Sequence, residues 1–149
     1  MSLSVKIMDE IKNAMRAKDT VALESLRAVK SALLLAATET GSKELLSEEE
    51  EIKILQRLIK QRRESAAIYV DQNRPDLAEP ELAQAAVIEK FLPEQLSEAQ
   101  IEEIVARIIS ENEASGMAAM GKVMGLASAE LAGKADGKTI STIVKKLLT

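Results

Sequence analysis

The sequence predicts an all-α protein, an N-terminal multi-helix domain followed by a small C-terminal three-helix domain, and three observations carry that prediction. The apolar residues make up 46% of 149 and are Ala, Leu, Ile, Val and Met, with one Phe, one Tyr and no Trp. Small and straight-chain residues favour helices, and strands draw on aromatics that are nearly missing here. Every long apolar pattern repeats with the helical period. Six Gly and three Pro leave little punctuation for the turns of an all-β fold.

The first helix is expected from about Ser4 to Lys18, with Val5, Met8, Ile11 and Met15 as its apolar face. Asp19 is placed to cap a second helix. Its stripe runs through Leu23, Leu26, Val29, Leu33, Leu34 and Ala37, and Gly41 is its stop. Ser47 and Glu50 form a capping box for a third helix that reaches about Asp71. A turn follows over 72–76, where Pro75 keeps Arg74 out of helical geometry. The fourth helix is expected from Leu77 to Phe91, with Pro80 in its first turn, where a missing N–H costs little. Leu92-Pro93 ends it, and the domain boundary is set there, giving domains 1–92 and 93–149.

In the second domain Ser97 and Gln100 form another capping box. The helix behind it buries Ile101, Ile104, Val105, Ile108 and Ile109, and Gly116 closes it. A helix from Met117 to Ala132 with Gly133 as its stop comes next. Asp136 then caps a last helix with Ile140, Ile143, Val144, Leu147 and Leu148 on its apolar side.

The same composition narrows the chemistry. Without Cys there is no disulfide and no thiolate metal site. Without His the commonest general base and the commonest metal ligand are both missing. No phosphate loop, dinucleotide fingerprint or nucleophile elbow occurs. No catalytic residue, metal or cofactor is therefore expected, and an enzyme would have to work with carboxylates and lysines alone. No signal peptide or membrane-spanning run is read, so the expected location is the cytoplasm. A net charge of −4 argues against non-specific coating of nucleic acid but leaves room for a local basic face.

Several segments are more specific. Lys90-Phe91-Leu92-Pro93-Glu94-Gln95-Leu96-Ser97, Met120-Gly121-Lys122-Val123-Met124-Gly125 and Gly133-Lys134-Ala135-Asp136-Gly137-Lys138 stand in order along the chain. Ala14 to Asp19, Leu26-Arg27 and Arg74 to Leu77 precede them. Together they resemble the motifs of the GatB/YqeY family over essentially the whole chain. Phe91 stands where that family usually has Tyr, and Gln84 where Glu is expected. The resemblance implies an α-helical N-terminal domain joined to a small helical domain similar to the tail of the B subunit of tRNA-dependent amidotransferase. That enzyme is a carbon–nitrogen ligase with glutamine as amido donor, and its tail is thought to contact the tRNA body away from the chemistry. The implied partner is tRNA or another structured RNA.

Charge segregation fits that implication. From Glu94 to Glu113 one arginine stands against six glutamates, a net of −5, whereas from Met117 onward the net is +3. Lys122, Lys134 and Lys138 are candidate phosphate contacts. The turn that carries the last two offers backbone N–H groups at a helix start. Gly121 and Gly125 share a side face of their helix. Glycine costs a helix up to about 1 kcal/mol against Ala, so each needs a reason: close approach of a neighbouring helix, or of an RNA backbone. A solvated lysine face is the plainer account of the charges.

The N-terminal domain has a basic run of its own, Lys53, Arg57, Lys60, Arg62 and Arg63, with no acid from Ile52 to Arg63. Arg62 falls on the apolar stripe, and Arg27 and Glu81 flank apolar stripes on their helices. A guanidinium near a core needs a partner, so Arg27, Arg62 and Glu81 are read as a structural ion network, with a carboxylate–guanidinium active site as the alternative. With Tyr69 and Phe91 alone there is no base-stacking platform, and any RNA would be held by backbone and shape. Three functions are carried forward: an accessory RNA-binding protein of tRNA metabolism, a protein–protein adaptor using the N-terminal helices, and an enzyme of carboxylates and lysines.

Overall fold

A computed structural model describes residues 2–39 and 46–149 of the chain. The helix stop expected at Gly41 lies outside the described residues. All regular structure among them is helical, and the chain divides into two compact units, Met1–Leu92 and Pro93–Thr149.

The first unit holds α1 (Leu3–Ala17), α2 (Thr20–Glu39), α3 (Glu48–Asp71) and α4 (Pro75–Glu89). Capping follows the local chemistry. Asp19 accepts the Ala22 N–H at 3.1 Å, and just before it Lys18 turns left-handed at φ 56° to end α1. The Ser47–Glu50 box is complete, with Glu50 Oε2 accepting the Ser47 N–H at 2.8 Å. α4 begins two residues earlier than expected. Pro75 occupies the first helical position, which suits its fixed φ, so Pro80 lies inside the helix rather than in its first turn. Arg74 stands at the cap with φ −122° and ψ 67°, outside helical geometry as the following proline requires.

The core of this unit gathers Ile7, Leu26, Val29, Leu55, Ile59 and Ile88, all at most 4% exposed. Full burial of one such side chain stabilises by roughly 1.5–3 kcal/mol. One expectation fails here. α1 turns Ile7 and Ala14 inward with Leu3 and Ile11 beside them, while Val5, Met8 and Met15 are 47%, 39% and 56% exposed. Both sets have helical spacing, so the helix carries two apolar stripes, and docking on α2 chose the other one. Leu34 of α2 likewise faces out at 58%.

The second unit holds α5 (Glu98–Glu111), a short 3₁₀ turn (Met117–Ala119), α6 (Met120–Glu130) and α7 (Gly137–Leu148). The Ser97–Gln100 box opens α5 as expected. Gly116 does not close α5, which ends at Glu111 with Glu113 left-handed at φ 49°. At φ 71°, a conformation that suits glycine, Gly116 instead starts the 3₁₀ turn. Gly133 at φ 76° does follow the end of α6. Ile101, Val105, Val123, Ala127, Leu131 and Val144 close a core of their own, each at most 2% exposed.

Candidate nucleic-acid interface

The surface singled out by the sequence lies on α6, the turn after it and the start of α7. On α6 the period places Val123 and Ala127 inward, fully buried, and Met124 half-buried. Gly121, Lys122 and Gly125 therefore face solvent. A Cβ added to Gly121 or Gly125 would meet nothing within 4 Å. The packing explanation for these glycines finds no neighbouring helix in its support, and they leave bare helical backbone on the surface.

The turn between α6 and α7 is held from a distance in sequence. The Gln95 side-chain amide donates to the Gly133 carbonyl at 2.6 Å and to the Pro93 carbonyl at 2.8 Å. Beside it the Leu96 N–H donates to the Lys134 carbonyl at 2.9 Å. Two motifs 38 residues apart are thus stitched together, and the backbone that carries Lys134 is fixed. Asp136 stands at the cap of α7 in extended geometry, yet its side chain caps nothing. The first N–H groups of α7 have no side-chain partner there, Gly137 is open, and Lys138 is exposed.

Charge pairing separates the cations of this unit. Arg107 on α5 is bound to Glu130 at the end of α6, with Glu111 at 4.0 Å. Hydrogen bonding to Glu130 raises the Arg107 pKa, and its charge is already balanced. Lys146 binds Glu102 at 2.7 Å, which raises its pKa in the same way. Lys122, Lys134 and Lys138 are all exposed, and among the described residues none of them has an ion-pair partner. Lys122 is eight residues from the end of α6, about 12 Å along its axis, so the three lysines are spread over a surface rather than gathered into one pocket.

The N-terminal run behaves differently. Lys53 pairs with Glu49, Lys60 with Glu64 and Arg63 with Glu89. Arg62 is half-buried, but its partners are not those expected. Its Nε donates to Gln84 Oε1 at 3.1 Å and its Nη1 to the Leu58 carbonyl at 3.2 Å. The Gln84 amide in turn donates to Glu24 Oε2 at 3.2 Å, so a polar chain crosses α3, α4 and α2. Arg27 is exposed and Glu81 half-buried, and among the described residues no ion pair joins them to Arg62. Gln84 and Gln95 escaped the sequence reading as site residues because a glutamine carries no charge to be balanced.

Among the described residues no group of three potential metal ligands assembles, and no helix is long and apolar enough to cross a membrane. What the fold and the surface define is an all-helical protein of two units, the second bearing unpaired lysines beside bare glycine backbone. The chain belongs to the Yqey-like protein family, whose family model matches residues 4–148. It is 42% identical over 71 residues to the E subunit of glutamyl-tRNA(Gln) amidotransferase from Thermococcus gammatolerans, covering 45% of this chain and 11% of that protein. It is also similar to altered inheritance of mitochondria protein 41 of Meyerozyma guilliermondii, 34% identical over 120 residues, 78% of this chain and 62% of that protein. With the protein of the same name from Pyrenophora tritici-repentis the likeness is 27% over 146 residues, 96% of this chain and 79% of that one. The chain spans about a tenth of the length of the amidotransferase proteins it matches. Those relatives are E subunits, whereas the motifs resemble the tail of the B subunit.

Proposed function

We propose that this protein is a non-catalytic accessory of tRNA metabolism that grips the phosphate backbone of a folded RNA through its second unit. The observation that carries the reading is the sorting of its cations. Arg107 and Lys146 are paired within the unit, whereas Lys122, Lys134, Lys138 and Lys145 are exposed with no ion-pair partner among the described residues, the first three of them along α6, the turn after it and the start of α7. Bare backbone at Gly121, Gly125 and Gly137 lies near them in sequence, open to close approach. Phosphate contacts are made by such lysines and by free backbone N–H groups. The relatives named as tRNA amidotransferase subunits support a tRNA as the RNA.

The test is fluorescence anisotropy of labelled tRNA across a salt series, with the Lys122→Ala, Lys134→Ala, Lys138→Ala triple variant alongside. Removing one phosphate contact should lower the salt slope of log K by about 0.9 on duplex-like RNA, or about 0.7 on single strands. Affinity should fall alike for different tRNA sequences, because phosphates carry no base information. Equal binding by both proteins, or none by either at low salt, would end the proposal.

One observation favours a second reading, a protein–protein adaptor. The outward stripe Val5, Met8 and Met15 on α1 is apolar and exposed. Substituting all three by Ser and repeating a partner capture from cell extract distinguishes the adaptor from the RNA-binding protein.

A further inference from the structure

The second unit contains a cleft of about 410 Å³ between α5 and the end of α6. Its walls are built. On one side Leu96 and Lys134 are tied by their backbone hydrogen bond, with the Gln95–Gly133 bond behind them. On another the Arg107–Glu130 ion pair joins α5 to the end of α6. Ile104 is half-buried, and Leu131, fully buried, can only close the cleft from beneath. Two charged side chains that line it, Glu103 and Lys134, are exposed and have no ion-pair partner among the described residues.

A ligand that satisfies this lining must offer a hydrogen-bond donor edge to a carboxylate, an anionic group to an ammonium, and a flat face between them that tolerates aliphatic contact. Free carboxylate and free ammonium in one apolar-floored cleft is the complement of a nucleotide. We propose that the cleft takes one unstacked nucleotide of the bound RNA, its base against Leu96 and Ile104, its donor edge on Glu103 and its phosphate on Lys134. This rests on the RNA reading above, since Lys134 belongs to both surfaces, and adds to it a base preference that phosphate contacts cannot supply. Guanine is the base that fits. Its N1–H and N2–H₂ donors lie side by side and match the two oxygens of a carboxylate. Uracil offers one N–H between two carbonyl oxygens that repel Glu103. Aliphatic side chains can hold an unstacked base in place of aromatic ones.

The experiment is a methyl NMR titration of the full chain with guanosine 5′-monophosphate, uridine 5′-monophosphate, guanosine and inorganic phosphate. Guanosine monophosphate should move the Leu96, Ile104 and Leu131 methyl resonances saturably. It should bind at least about fivefold more tightly than uridine monophosphate, the low end for one bidentate base contact. Glu103→Gln should bring the two nucleotides to equal affinity. Lys134→Ala should weaken both nucleotides alike and leave guanosine unchanged. Both positions are exposed, so the remaining methyl spectrum should be unaltered and reports that the fold is intact. Equal shifts from the two nucleotides, the same shifts from phosphate alone, or no shift at millimolar nucleotide would overturn the proposal. If tRNA binds while guanosine monophosphate does not, the cleft proposal fails alone. If the nucleotide binds while tRNA does not, the RNA-backbone reading fails and takes with it the seating of a bound RNA's nucleotide, leaving a site for free mononucleotide only.

Discussion

Gln95 and Gly133, 38 residues apart, are joined by a 2.6 Å hydrogen bond from the side-chain amide to the main-chain carbonyl. The same amide satisfies the Pro93 carbonyl. Gly133 is itself buried and left-handed, so the carbonyl it presents has few other partners. One neutral side chain thus fixes the start of the second unit against the turn that carries Lys134.

Gln95→Ala should therefore destabilise the second unit by roughly 1 kcal/mol, the cost of leaving the part-buried Gly133 carbonyl without its donor. Gln95→Glu keeps the size and puts a carboxylate against two carbonyl oxygens, so it should cost at least as much at neutral pH. Thermal denaturation with limited proteolysis checks this. Gln95-Leu96 should resist cleavage in the wild type and become a cut site in Gln95→Ala. Equal melting temperatures would show that the bond contributes nothing net.

Gly121→Ala and Gly125→Ala should each stabilise α6 by about 0.5–1 kcal/mol, because alanine is the better helix former and its Cβ meets nothing. The measurement pairs the melting temperature with tRNA affinity. A more stable protein that binds less tightly is expected if the bare backbone receives RNA. A less stable protein would mean that a helix packs against these glycines after all.

In the first unit, Gln84→Leu strips Arg62 of its side-chain partner and leaves only the Leu58 carbonyl. A loss of roughly 1 kcal/mol is expected, because the half-buried guanidinium keeps the Leu58 carbonyl but loses its side-chain acceptor. The double variant Arg62→Leu, Gln84→Leu should recover part of it, since removing both partners costs less than removing one. Urea denaturation of the four proteins closes the cycle, and strict additivity would contradict the coupling.

Arg74 and Asp76 form a two-point contact at the start of α4, at 3.1 and 2.9 Å. The Arg74 hydrogen bonds hold the Asp76 carboxyl below its usual 3.8. A carboxyl lowered in the fold contributes stability that is present above its unfolded pKa and lost as pH falls through the folded one. Glu51 goes the other way, raised from 4.5 by burial and then by Glu48. Its contribution is present below its unfolded pKa and lost as pH rises through the folded one. Carboxyl NMR titration should place the Asp76 midpoint below that of a model peptide and the Glu51 midpoint above. Arg74→Gln should return Asp76 towards 3.8 and leave Glu51 where it was.

The sequence by itself determined the helices and most of their N-caps, though Asp136 does not cap α7 as read and Gly116 does not close α5. Asp19, Ser47 and Ser97 cap as read, because a cap is settled within three or four residues of chain. The tertiary structure decided whatever depended on docking. α1 carries two stripes of equal period, and only contact with α2 selects Leu3, Ile7, Ile11 and Ala14 over Val5, Met8 and Met15. Arg62 finds Gln84 22 residues away, and Lys146 finds Glu102 44 residues away. Composition counts such lysines as equal, yet one is neutralised while Lys122, Lys134 and Lys138 have no ion-pair partner among the described residues. Hydrogen-bonding and charge partners distant in sequence are set by which faces pack, and packing is a property of the whole unit rather than of any one helix.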